Sequence, residues 1–135
     1  MIKDKLTVFV IRSLQPDADL LKCLKSFGYL IQEFHVIDRH FEINDREIRT
    51  EWYFVLHDNE YIQDSLIETI PAFMTWNNFD CFSLYKQIGE APVNKASICP
   101  RMFRNTIKLS EFALYPELPS TRIETILNGW LYGNI

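Results

Sequence analysis

The stretch that decides the fold is EWYFVLHDNEYIQD, residues 51–64. Its core, Trp52-Tyr53-Phe54-Val55-Leu56, is an apolar and aromatic run without a charged interruption. A strand with one wet face would alternate, so a continuous run of this kind predicts a strand buried on both faces. The run stops at His57-Asp58-Asn59-Glu60. Asp64 then precedes residues 65–74, where Leu66, Ile67, Ile70 and Phe73 recur at helical spacing, which predicts a helix capped by Asp64. Pro71 is expected to kink or shorten it.

The same grammar extends in both directions. Residues 6–11 (LTVFVI) read as another buried strand. Pro16, Asp17 and Asp19 suit the first turn of a helix carrying Leu20, Leu21, Leu24 and Phe27, with Gly28 just past its end. Residues 31–37 (IQEFHVI) alternate as a strand ending at Asp38, and residues 44–50 (NDREIRT) suggest a short helix capped by Asn44 or Asp45. Residues 80–87 (DCFSLYKQ) form a fourth strand pattern, residues 98–109 one or two more, and residues 121–127 a last helix closed by Asn128-Gly129. Strands alternating with helices predict one α/β domain over residues 1–135, with a mostly parallel, Rossmann-like sheet flanked by helices.

Composition narrows the function classes. The 135 residues are 47% hydrophobic and 14% aromatic, enough for a packed core. The net charge of -4 and a pI near 5.3 argue against broad binding to a nucleic-acid backbone. Cys23, Cys81 and Cys99 are odd in number and far apart, with no CxxC, which speaks against a disulfide framework or a cysteine zinc site and suits a reducing cytoplasm. No apolar run approaches the length of a membrane span. P-loop, GxGxxG, GxSxG and HExxH motifs are absent from the sequence.

In parallel sheets ligands bind beyond the carboxyl ends of the strands. Those ends carry Arg12-Ser13, Asp38-Arg39-His40 and His57-Asp58-Asn59-Glu60. Acids after a buried strand suit a hard divalent cation, which prefers oxygen ligands, and equally suit a solvated turn. Asp38 can accept from a ribose or base, or stand exposed in a turn. Arg101 and Arg104 flank Met102-Phe103 and could hold phosphate, although on a strand that spacing sends them to opposite faces.

Together, EWYFVLHDNEYIQD, the RMFR stretch at 101–104 and the front TVFVIRS…LLKCLKSFGYLIQEFHVIDRH resemble family 2 GT-A glycosyltransferases over roughly residues 5–105. In that family an apolar strand runs into an Asp-x-Asp followed by another acid and a helix. Here the strict motif is replaced: His57 and Asn59 fill one register, and Asp58-Asn59-Glu60 is an Asp-x-Glu in the other. The resemblance implies transfer of a sugar from a nucleoside diphosphate sugar, with UDP-sugars favoured, to an unknown acceptor hydroxyl. It implies nucleotide contacts at Arg12, Asp38, Arg39, Arg101 and Arg104, and Mg²⁺ or Mn²⁺ held by Asp58 and Glu60. Glu111 and Glu117 are the late acids available as catalytic base. The chain is short for the family, so a non-catalytic GT-A-like module that binds a nucleotide, a sugar or a protein is the alternative. A nucleotidyltransferase-like enzyme is a third reading, and a homo-oligomer is left open.

Overall fold

The computed structural model describes residues 1–88, 97–116 and 122–133. Its elements run β1 (Ile2–Ile11), α1 (Leu20–Lys25), a 3-10 turn (Gly28–Leu30), β2 (Ile31–Ile37), a second 3-10 segment (His40–Asp45), β3 (Thr50–His57), β4 (Glu60–Ile62), α2 (Asp64–Phe73), β5 (Cys81–Ile88), β6 (Ser97–Arg104) and β7 (Ile123–Gly133). The strands form one sheet in the order β2-β1-β3-β6-β5-β7-β4.

The sheet is mixed rather than mostly parallel. β1 is parallel to β2 and β3, and β5 to β7, but β6 is antiparallel to both β3 and β5, and β4 is antiparallel to β7. β4 follows β3 after two residues yet is bonded to β7 at the far edge of the strand order. The sheet therefore curls, bringing its β4 edge back beside the carboxyl end of β3.

The uninterrupted apolar runs are explained by burial on both faces. Leu6, Val8 and Val10 of β1, with Trp52, Phe54 and Leu56 of β3, pack into one cluster with Cys23, Phe27, Leu66 and Ile70 from the α1 and α2 side. Phe9, Ile11, Tyr53 and Val55, the alternate residues, form a second cluster with Ile43, Phe103 and Leu109. Period-two alternation sends neighbours to opposite faces, and here each face has its own cover.

Several local expectations change. The first helix begins at Leu20, where the Asp19 side chain caps it by accepting from Lys22 N at 3.1 Å. It buries Cys23, with Phe27 just beyond, and leaves Leu20 and Leu21 exposed. No helix forms over 44–50. Asn44 instead binds the Leu109 backbone in both directions, accepting from its N–H at 2.8 Å and donating to its carbonyl at 2.9 Å. α2 contains Pro71 and still continues to Phe73, with Gln63 rather than Asp64 at its cap position.

The expected tail helix at 121–127 is a strand from Ile123 onward. β7 pairs in parallel with β5 through Ile123, Thr125 and Ile126, side chains that suit a pleated surface better than a helix. Its register breaks between Ile126 and Trp130, and Gly129 there has φ +141°. A Cβ at that glycine would stand 2.6 Å from Leu66 Cγ, so β7 approaches α2 at a point where no side chain fits.

Candidate functional site

The carboxyl ends of β1, β2 and β3 lie side by side. Arg12 N donates to Ile37 O at 2.8 Å, and Asp58 N donates to Ile11 O at 3.0 Å. At this end Arg12 faces Asp38 at 3.5 Å, with both side chains mostly in solvent. Arg39 is also exposed. Its N–H and that of Asp38 both donate to Glu42 Oε2, at 2.7 and 2.9 Å, which turns the chain sharply after β2. The Arg39 backbone bond, with that of Asp38 and nearby Arg46 and Arg39 charges, holds the Glu42 carboxyl below its usual range.

Asp58 organises the loop after β1. Its Oδ1 accepts from Ser13 N at 3.0 Å and from the Ser13 hydroxyl, and its carbonyl accepts from Asp19 N at 2.9 Å. The turn after β3 therefore fixes both the loop at 12–19 and the start of α1. A cavity of about 210 Å³ opens here, lined by Asp17, Asp19, Lys22, Asp58, Asn59, Glu60, Tyr61 and Gly133. Lys22 holds its ammonium 3.9 Å from the centre of the Tyr61 ring, a cation–π contact.

Glu60 behaves differently from Asp58. It is 1% exposed and belongs to a charged network that ties β3, β4, β5 and β6 together. Oε1 accepts from Arg101 Nη1 at 3.1 Å and from His57 N at 2.6 Å, with His57 Nδ1 at 3.3 Å. Oε2 accepts from Arg101 Nη2 at 3.1 Å and lies 2.7 Å from Lys86 Nζ. Burial alone would push this carboxyl up, but the His57 hydrogen bonds and the Arg101 and Lys86 charges outweigh it and bring it down to about 2.

That arrangement tests the cation expectation. A carboxylate offers about four lone-pair sites, and those of Glu60 are committed to Arg101, Lys86 and His57. Two cations beside it would also repel a third, so Glu60 does not fit a metal ligand. Asp58 does fit: it lines the cavity, and Mg²⁺ is commonly held by one or two carboxylates with substrate phosphates filling other places. Among the described residues, no group of three or more His, Cys, Asp or Glu side chains is gathered as a metal site.

The remaining expected residues scatter. Arg101 is buried on Glu60 rather than open to a phosphate. Arg104 pairs opposite Trp52 at the other end of β3, about 16 Å of strand away from His57. There it bonds Glu51 at 2.7 Å and Asp80 at 2.9 Å and stacks over Trp52. Glu111 is exposed in the turn beyond the Leu109–Pro116 bridge. His40, just after Asp38-Arg39, donates from Nε2 to Ser110 O at 2.6 Å, which draws that turn toward the end of β2. Glu117 lies outside the described residues. Sequence reading placed Ser13 at this end of the sheet and Asp17 and Asp19 at the start of a helix, but did not single out Asp17, Asp19, Lys22 or Tyr61 for the site. Lys86, a lone cation inside an apolar strand pattern, was the visible sign of the Glu60 network.

No helix of the described residues is long and apolar enough to cross a membrane. No protein-family model matches the sequence, and no curated protein matches it. Among solved structures, the fold is similar to that of S. aureus TarS, residues 1–349, a family 2 GT-A glycosyltransferase. The TM-score is 0.59 at 10% sequence identity, over 96% of this chain and 60% of that one. The chain thus spans less than two thirds of the structure it matches, and what the two share is the GT-A fold.

Proposed function

We propose that the chain is the nucleotide-sugar-binding domain of a glycosyltransferase that transfers from a nucleoside diphosphate sugar to an acceptor hydroxyl. The observation that carries this reading is the position of Asp58: at the carboxyl end of a central strand, beside the loop after β1, and open to a cavity. Arg12 and Asp38 stand ready at the neighbouring strand ends for a nucleoside, in the place where parallel strands present ligands. UDP-sugars are the favoured donors.

Asp58 would hold Mg²⁺ or Mn²⁺ together with the donor's phosphate oxygens, and the cation would neutralise charge on the departing diphosphate. Around it the chain's own groups have separate tasks. Ser13 orients the Asp58 carboxylate, and Asp38 accepts hydrogen bonds from the nucleoside. Arg101 and Lys86 hold Glu60, and so the turn at 57–60, in one shape. Glu111 is the acid offered for accepting the acceptor's proton.

A second reading, a non-catalytic GT-A-like binding module, draws on the conversion of Glu60 from a candidate ligand into a buried anchor. Calorimetric titration with UDP and GDP, with Mn²⁺ or with excess EDTA, tests the binding step. Binding of UDP that is strengthened at least tenfold by Mn²⁺ supports the proposal; binding of equal strength in EDTA removes the cation, and no binding of either nucleotide removes the donor reading. Turnover of a UDP-sugar then separates the transferase from the module.

A further inference from the structure

A second cavity, of about 510 Å³, lies directly beside the first and shares Lys22 and Tyr61 with it. Its chemistry is the reverse of its neighbour's. The first is ringed by Asp17, Asp19 and Asp58. The second presents Lys22 and Lys25, three apart on α1 and therefore on one face of it, with Asp64 the acid in its wall. Among the described residues Lys25 has no ion-pair partner. Tyr61 of β4, with the Lys22 ammonium over its ring, and Tyr132 of β7 also line it; they are directly paired across the strands, their ring centres 5.2 Å apart.

Two lysines beside a pair of tyrosines suit a ligand with an anionic end and a ring. A lysine binds phosphate as a point charge without demanding one orientation. Tyrosine rings offer a flat, weakly polar surface, with hydroxyls at the edge for hydrogen bonding. Ser26 and Gln63 add polar groups to the rim.

We infer that this second cavity binds a phosphorylated saccharide, with Lys25 on the phosphate, Lys22 beside it over the Tyr61 ring, and Tyr132 against the sugar ring. The inference deepens the transferase reading and rests on it: a sugar phosphate held here would be the acceptor, adjoining the donor cavity through Lys22 and Tyr61.

The experiment is ¹H–¹⁵N chemical-shift titration of the whole chain with glucose 6-phosphate, glucose and inorganic phosphate, and separately with UDP and Mg²⁺. Glucose 6-phosphate is expected to shift amides of Lys25, Ser26 and Tyr132, with glucose and phosphate each at least fivefold weaker. Lys25→Gln should weaken it about fivefold and Lys25→Arg should retain it; Tyr132→Leu should weaken it and Tyr132→Phe should not. Raising the salt should weaken the sugar phosphate and not glucose. Shifts elsewhere, or equal affinity for phosphate alone or glucose alone, overturn the inference. If UDP shifts the residues at Ser13, Asp38 and Asp58 while glucose 6-phosphate shifts nothing, the inference falls and the donor reading stands. If glucose 6-phosphate binds as described and UDP does not, the cavity's ligand stands and its role as acceptor falls.

Discussion

Arg101 on β6 grips Glu60 on β4 through two parallel hydrogen bonds of 3.1 Å, at a place where both side chains are withdrawn from water. The pair closes the curl of the sheet, because β4 and β6 are not neighbours in the strand order. Breaking one partner of such a pair leaves an uncompensated charge in a poor solvent, a loss of about 3–5 kcal/mol. Glu60→Gln is therefore expected to lower the unfolding free energy by about that much, seen in urea denaturation. An unchanged midpoint would show that the network is not carrying the turn at 57–60.

The same carboxylate sets an acid limit. Its folded-state pKa of about 2 lies below the ordinary value near 4.5, so the folded protein binds this proton more weakly than the unfolded chain does. The stabilisation is fully present above about pH 4.5 and drains away as the pH falls toward 2. Asp80, held down chiefly by its bond from Arg122 and then by that from Arg104, adds to the same slope. Stability against pH, measured by urea unfolding between pH 6 and about 2.5, should fall in the wild type. The drop should be much smaller in Glu60→Gln.

Asp58 and Ser13 separate orientation from charge. Ser13→Ala removes one of the two bonds to Asp58 Oδ1 and keeps the carboxylate, so UDP affinity should fall by about fivefold or less. Asp58→Ala also frees the loop at 12–19 and should remove the cation dependence of UDP binding altogether. Calorimetry in Mn²⁺ and in EDTA measures both. Equal behaviour of the two variants would make Asp58 a loop anchor only.

Asp38 is exposed and bonded to little besides Arg12. Asp38→Ala should leave the thermal midpoint within a degree or so, since surface changes of this kind cost under about 0.5 kcal/mol. UDP affinity should fall more than tenfold, the value of a lost hydrogen bond to a charged group. An unaltered affinity assigns Asp38 to the turn after β2.

Gly129→Ala meets two penalties, a backbone at φ +141° that residues with a Cβ rarely adopt, and a Cβ that would stand 2.6 Å from Leu66 Cγ. Backbone strain alone is worth about 1–3 kcal/mol, and the contact adds to it. A lower melting temperature with unchanged Asp38 and Ser13 amide shifts is the expected outcome. A neutral effect would mean that β7 can slide away from α2.

Much of the front half was legible because its signals are local. Residues 6–11, 31–37 and 52–56 became strands, and strand ends carrying Arg12, Asp38 and Asp58 came together as parallel pairing requires. Continuous apolar runs needed cover on both faces, and alternate side chains found it. Where the signal was a polar side chain, sequence left the partner open. Asn44 could cap a helix or bind a distant backbone, and its amide chose Leu109.

The sequence by itself determined the strands at 6–11, 31–37 and 52–56, the strand-end clustering of polar groups and the likeness to the GT-A fold, since hydrophobic periodicity and turn residues act within a few positions. Tertiary structure alone decided that β6 runs antiparallel, that residues 123–133 are a strand, and that two neighbouring acids part company. Asp58 and Glu60 differ in the sequence by one methylene and two positions. The curl of the sheet buries Glu60 among Arg101, Lys86 and His57, and leaves Asp58 at the mouth of a cavity. A carboxylate's role follows from which cations reach it and how much water remains, and for Glu60 the cations come from residues 26 and 41 positions away.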